Sequence, residues 1–363
     1  MRVLVVDDSN VARQLIIGVF KSDPDIEVVG EARDGVEAIE LACKLRPDLI
    51  TMDVNMPRKD GFEATLEIMI ECPTPILIVT SSRVVAEVST AMKAMQAGAL
   101  WVVLKPLGPA HPQHEKLSRE FLAMVKAMGV VKVVKHRRKA KDASTHIEAA
   151  ARQVVSPPQA VPRAVSSAHV VAIGISTGGP PALQTLLQQI PKDFPSSILI
   201  VQHISTGFIA GLVKWLNDDP LIAVNVKIAN GDEPLQPGTV YFGPEGKHLG
   251  VARGGRILLS NAAEIDSFRP SATYLFQSVA EVYGKGAIGV IMTGMGTDGL
   301  SGLNAIHAAG GKIIAQNQAT CVVYGMPRAA VEAGIVDRVL PLDSIAEHLL
   351  KLVRNDKCMS PWE

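Results

Sequence analysis

The feature that most constrains this chain is the make-up of its strand-like runs. In the first hundred residues these are Val3–Val6, Glu27–Gly30, Leu49–Met52, Ile76–Thr80 and Leu100–Leu104, short and rich in aliphatic and β-branched residues. They show little alternation with polar residues. A strand with one wet face alternates, whereas a strand covered on both faces reads as a nearly continuous apolar run. Between them lie stretches of helical spacing, as in Val36-Ile39-Leu41-Cys43-Leu45. The pattern predicts a five-stranded, doubly wound parallel sheet, complete after a helix over Glu115–Met128, so a first domain over residues 1–128.

Composition shifts beyond that point. Residues 129–168 carry a basic cluster (Lys132, Lys135, Arg137, Arg138, Lys139, Lys141) and then a Pro/Ser/Ala-rich stretch without apolar period, which reads as a flexible linker. With no aromatic residues between its charges, the cluster reads as a solvated linker rather than a nucleic-acid contact. A second alternating region covers 169–354, with strand-like runs at Val170–Ile175, Ile198–Gln202, Ala223–Ile228, Val240–Phe242, Ile257–Leu259, Ile288–Met292 and Ile313–Ala315. It predicts another doubly wound, mostly parallel α/β domain. Gly254-Gly255 marks a β-hairpin inserted into it, and 355–363 is a polar tail.

Charge and hydropathy narrow the classes further. The 36 basic residues balance 36 acidic ones, which argues against whole-molecule attraction to nucleic acid or to an anionic membrane. The mean hydropathy of +0.22 raises the question of membrane spans. No apolar run approaches the ~20 residues that a spanning helix needs, and Asp7 and Asp8 interrupt what would be a signal-peptide core. Cys43, Cys72, Cys321 and Cys358 lie far apart with no CxxC pair, so neither a disulfide framework nor a zinc site is expected, and a reducing cytoplasm suits them.

Two clusters carry chemistry. In the first domain Asp7 and Asp8 follow the first strand, Asp53 follows the third, Thr80 ends the fourth and Lys105 follows the fifth. The carboxyl ends of parallel strands meet at one crevice, so these residues converge. Three carboxylates repel one another unless a hard cation such as Mg²⁺ lies among them, and a carboxylate beside Mg²⁺ can attack a phosphoryl group. Thr80 and Lys105 are donors for the phosphoryl oxygens. In the second domain Ile173-Gly174-Ile175-Ser176-Thr177-Gly178-Gly179 joins a strand to a helix and satisfies G-x-S-x-G, the turn that exposes a serine nucleophile. His203 ends the next strand and is the candidate base, with His248 its one serious rival. Asp298 lies in a glycine turn after a later strand and is the candidate orienting acid. Gly294, Gly296 and Gly299 also match the dinucleotide fingerprint. However, the following strand ends Ala315-Gln316-Asn317 without the acid that motif requires, which argues against a nicotinamide enzyme.

The first domain closely resembles a response-regulator receiver domain of flavodoxin-like fold. The resemblance implies that Asp53 is the phosphoacceptor, that Asp7 and Asp8 belong to the metal pocket, and that Asp8, Asp53 and the Asn55 backbone hold Mg²⁺. Thr80 and Lys105 become the switch threonine and the phosphate-binding lysine, while Val102 stands where an aromatic switch residue is usual. Residues 169–354 resemble the catalytic domain of the chemotaxis protein-glutamate methylesterases in AIGISTGGP, QHIS, GPEGKH, FRPSATYLF, GVIMTGMGTDG and AQNQATCVVYGMPRAA. The triad then falls on Ser176, His203 and Asp298, with Thr177 and Met295 in the oxyanion hole and active-site wall. Ser205, Thr273 and Thr297 depart from that pattern.

The resemblance implies a cytoplasmic serine hydrolase that removes methyl groups from glutamate γ-methyl esters of methyl-accepting chemotaxis receptors, releasing methanol. Many members also deamidate receptor glutamines. The receiver would block the site until a sensor histidine kinase phosphorylates Asp53, and ester hydrolysis would need no cofactor. The competing readings are a silent receptor-binding adaptor, a paralogue serving a receptor array outside chemotaxis, and a transcription regulator. Against the last, the second region is α/β and too large for a helix-turn-helix output.

Overall fold

A computed structural model describes residues 1–81, 92–131, 133 and 169–355. The predicted linker and tail lie outside the described residues except for residues 129–131, 133 and 355. The first sheet is built from β1 (Arg2–Val6), β2 (Glu27–Ala32), β3 (Leu49–Met52), β4 (Ile76–Thr80) and β5 (Trp101–Leu104), all parallel, in the order β2-β1-β3-β4-β5. Every residue of β3 and β4 is buried, as runs without alternation require. Helices α1 (Asn10–Lys21), α2 (Gly35–Leu45), α3 (Gly61–Glu71) and α4 (His114–Gly129) cover it. Ser9, Asp34 and Asp60 cap the first three through side-chain oxygens, and Asp60 forms a capping box with Glu63.

The second sheet has seven strands in the order β14-β13-β12-β6-β7-β9-β8, and every pairing is parallel. Its central strands are β12 (Ala287–Ile291), β6 (Val170–Ile175) and β7 (Ser197–Gln202), each buried throughout. On one side follow β13 (Lys312–Gln316) and β14 (Arg338–Leu340), on the other β9 (Thr239–Phe242) and β8 (Asn225–Ile228). The helices are α5 (Gly179–Leu187), α6 (Ile209–Asn217), α7 (Ala272–Tyr283), α8 (Leu300–Ala308), α9 (Met326–Glu332) and α10 (Leu342–Asn355). The glycine pair does turn a hairpin, β10 (His248–Ala252) against β11 (Arg256–Ser260).

One expectation fails. Cys43, near the end of α2, and Cys72, capping α3, are joined by a disulfide with their Cα atoms 5.4 Å apart. The two helices pack side by side, and a separation of 29 residues gives no signal of that in a linear reading. Cys321 is the free cysteine among the described residues.

The two units touch. Ser205 Oγ donates to the Val102 carbonyl at 2.8 Å, and the Gln96 and Gln184 amides are hydrogen-bonded. Met295 packs against the apolar layer of the first unit that contains Trp101 and Val103.

Candidate active site

Because β1, β3, β4 and β5 are neighbours in that order, residues at their carboxyl ends converge. The ladder continues past the strands: the Asp53 N–H donates to the Val6 carbonyl at 2.9 Å and the Lys105 N–H to the Thr80 carbonyl at 2.8 Å. Lys105 Nζ lies 2.6 Å from Asp7 Oδ2 and 3.3 Å from Asp53 Oδ2. Asp7, Asp53 and Thr80 are buried, while Asp8 and Asn55 are exposed at the rim. Burial pushes the Asp53 carboxyl up to about 6; Lys105 opposes the shift and the Asp7 charge adds to it. Burial works against the Lys105 charge, but its bonds to Asp7 and Asp53 hold the ammonium above its ordinary value. One carboxylate oxygen from each of Asp7, Asp8 and Asp53 lies within 4.8 Å of the others. An all-oxygen anionic set of this size fits a hard divalent cation.

The second cluster is assembled by the central strands of the larger sheet. Ser176 follows β6, His203 follows β7, and Asp298 lies in the turn between β12 and α8. Since β6 pairs with both β7 and β12, the three come to one end of the sheet. All are less than a tenth exposed. Gly178 makes the sharp turn after the serine, at φ +76° and with the side chain of Val322 where a Cβ would stand. Gln202 ties the ends of β6 and β7 together, its Nε2 donating to the carbonyls of Ser176 and His203 at 3.0 and 2.7 Å.

His203 Nε2 lies 2.9 Å from Asp298 Oδ2, an ion-pair distance, but out of line for a completed N–H···O bond; Nδ1 has no hydrogen-bond partner. Phe268 stacks on the ring at 4.0 Å between centroids. Asp298 is held much more tightly. It accepts from Ser271 Oγ and the Ala272 N–H, both at 2.7 Å, and from the Thr273 N–H at 3.2 Å, at the N-terminus of α7. Burial opposes its charge, but His203, Ser271 and the Ala272 N–H outweigh it and hold the carboxyl at about 2. Thr273 Oγ1 accepts the Gly299 N–H at 2.8 Å and so fixes the turn that carries Asp298.

Among the described residues, the N–H groups of Thr177, Gly178 and Met295 make no hydrogen bond, whereas that of Ser176 donates to the Thr293 carbonyl. Unpaired donors beside a nucleophile can receive an oxyanion. Three residues of this site escape sequence reasoning: Ser271, Gln202 and Phe268. Ser271 carried a local signal, a serine before a helical stretch, but its role toward Asp298 depends on which strand end α7 meets.

A family model described as CheB methylesterase matches residues 171–349, and one described as response regulator receiver domain matches residues 3–114. The protein-glutamate methylesterase/protein-glutamine glutaminase 4 of Myxococcus xanthus is 48% identical over 361 residues, covering 98% of this chain and 97% of that protein. A similarly described protein of Anaeromyxobacter dehalogenans is 46% identical, covering 98% of this chain and 99% of that protein. The crystal structure of the Thermotoga maritima CheB methylesterase catalytic domain aligns with a TM-score of 0.50 and 39% identity, covering 52% of this chain and all of that one.

Proposed function

This chain belongs to the protein-glutamate methylesterase family, and from that membership we propose that it hydrolyses glutamate γ-methyl esters on chemotaxis receptors, with Ser176, His203 and Asp298 as the triad. The observation that carries the assignment is the convergence of these buried side chains, with His203 Nε2 2.9 Å from Asp298 Oδ2.

Ser176 Oγ attacks the ester carbonyl carbon while His203 takes its proton; in this ring orientation Nδ1 is the nitrogen free to do so. The N–H groups of Thr177, Gly178 and Met295 receive the oxyanion. Collapse breaks the bond to the methoxy oxygen, and His203 returns the proton to release methanol. Water, deprotonated by the same histidine, then frees the glutamate. Asp298 keeps the ring oriented and offsets the imidazolium charge. A glutamine side chain enters the same sequence with ammonia as the leaving group, in keeping with the second activity in the relatives' names.

Control comes from the receiver. The Asp53 carboxylate attacks the phosphorus of a kinase phosphohistidine, and Lys105 and Thr80 are placed to bind the transferred group. Asp7, Asp8 and Asp53, with the Asn55 backbone, would hold Mg²⁺, which when bound neutralises phosphoryl charge. Before phosphorylation, the receiver's apolar layer containing Trp101 and Val103 packs against Met295, and its Val102 carbonyl accepts from Ser205 Oγ, so the receiver restricts access to Ser176. Phosphorylation shifts the population toward separated domains. None of the described helices is long and apolar enough to cross a membrane. A working place in the cytoplasm follows from the receptor substrate and the kinase donor.

The test is methanol release from a methylated receptor fragment, with and without acetyl phosphate. The donor should stimulate the full chain. Ser176→Ala should lose on the order of 10³-fold or more of the stimulated rate. Retained activity in that variant would sink the triad.

A further inference from the structure

His248, which the sequence leaves as a rival base, is occupied in a different way. It is fully buried on β10 and stacks on Tyr274 of α7, ring centroids 4.7 Å apart. Both ring nitrogens lie against backbone groups of fixed polarity. Nδ1 faces the Ser271 N–H at 3.2 Å, and Nε2 faces the Ala263 carbonyl at 3.0 Å. An N–H can only donate and a carbonyl can only accept, so the ring is neutral with its hydrogen on Nε2. Neither nitrogen is free to take a proton from Ser176.

These two bonds close the loop from residue 263 to 271 at both ends, and that loop serves both other members of the cluster. Phe268 within it stacks on His203, and Ser271 at its end donates through Oγ to Asp298. A continuous path therefore runs from His203 through Asp298 and Ser271 to His248 and Ala263, across four segments far apart in the chain. The hairpin is tied to the same helix, the Val251 N–H donating to Ser278 Oγ at 3.1 Å. An inserted hairpin with a buried histidine at its base is thus explained as a brace on the catalytic end of the sheet.

We propose that His248 is a positioning residue for ester hydrolysis: a neutral imidazole that orients Asp298 through Ser271 and, by closing the 263–271 loop, seats Phe268 on His203. The proposal rests on the triad reading above and concerns geometry rather than substrate binding, so its loss should fall on kcat.

The experiment compares His248→Leu, His248→Asn, Ser271→Ala, Ser271→Thr and Asp298→Ala in the full chain. Methanol release from the methylated receptor fragment is measured with acetyl phosphate present, and melting temperature is followed in parallel. Asn can place its Oδ1 where Nδ1 accepts the Ser271 N–H, and Leu cannot. His248→Leu and Ser271→Ala should each lower kcat about 10- to 100-fold with KM within about twofold, by analogy with the support around other polar sites. His248→Asn and Ser271→Thr should recover most of the rate, and combining His248→Leu with Ser271→Ala should cost no more than the worse single change.

Equal loss in His248→Asn and His248→Leu, an unchanged kcat, or a rise in KM alone would overturn the proposal. If His248→Leu does not fold, the Ser271 pair and His248→Asn decide the question by the same criteria. An Asp298→Ala variant of full activity would remove the triad itself. Loss in Asp298→Ala with none in the His248 and Ser271 variants would remove the relay alone.

Discussion

Two buried aspartates with opposite titration behaviour define the residue scale. Asp298 accepts from Ser271, Ala272 and Thr273 and is held near 2, so it stays a carboxylate throughout any working pH range. Its stabilising contribution is present above the unfolded value near 4 and is lost only as pH falls toward 2. Asp53 is raised to about 6, above the ordinary 3.8, chiefly by burial. Its folded environment favours the protonated form, so the associated stability is full below pH ~4 and declines as pH rises through 6. Asp53→Asn should therefore stabilise the receiver at pH 7.5 by on the order of 1–3 kcal/mol, with the gain vanishing at pH 4. Urea unfolding at the two pH values measures the difference; a variant less stable at pH 7.5 would contradict the burial argument. Individual site residues such as Ser176, His203 and Asp53 were readable because each sits at the end of an unmistakable strand. Ser271 and Phe268 were not, because a serine or phenylalanine in a loop acquires a role only from what it meets.

Elements tell a similar story. A glycine turn after β6 was legible, and its geometry explains why: Gly178 has a positive φ and no room for a Cβ beside Val322. Gly178→Ala should cost about 2–3 kcal/mol, from left-handed strain together with that clash, and should lower kcat by displacing Ser176. Thermal unfolding and methanol release check both; an Ala variant of unchanged stability would mean that the turn relaxes freely. At Gly61 a Cβ would lie 2.2 Å from the Asp53 carbonyl, so the start of α3 is pressed against the segment that leaves β3. The hairpin followed from Gly254-Gly255, whereas β14 did not stand out: it is a three-residue edge strand, two of them exposed, with no buried run to mark it. The Cys43–Cys72 link was invisible because packing of α2 on α3, not spacing along the chain, brings the sulfurs together.

For the whole molecule, the relevant contact is the one between units. Two departures noted in the sequence, Val102 and Ser205, meet there: the Ser205 hydroxyl donates to the Val102 carbonyl two residues beyond the candidate base. A hydrogen bond of this kind contributes ~0.5–1.5 kcal/mol, about a 2- to 10-fold change in a two-state population. Ser205→Ala should accordingly raise basal methanol release by about that factor while leaving the acetyl phosphate-stimulated rate unchanged. A basal rate at or below that of the parent chain would show that this bond does not hold the closed state.

The two parallel-sheet units and the strand ends at which the chemistry gathers are legible in the chain alone, because burial on both faces leaves a continuous apolar signature and parallel strands send their carboxyl ends to one edge. Which loops brace those ends emerges from the folded chain: His248 on Ser271, Ser271 on Asp298, Phe268 on His203, and Ser205 on Val102. Those contacts join residues distant along the chain, and a directional hydrogen bond or a ring stack leaves no periodic trace in a sequence.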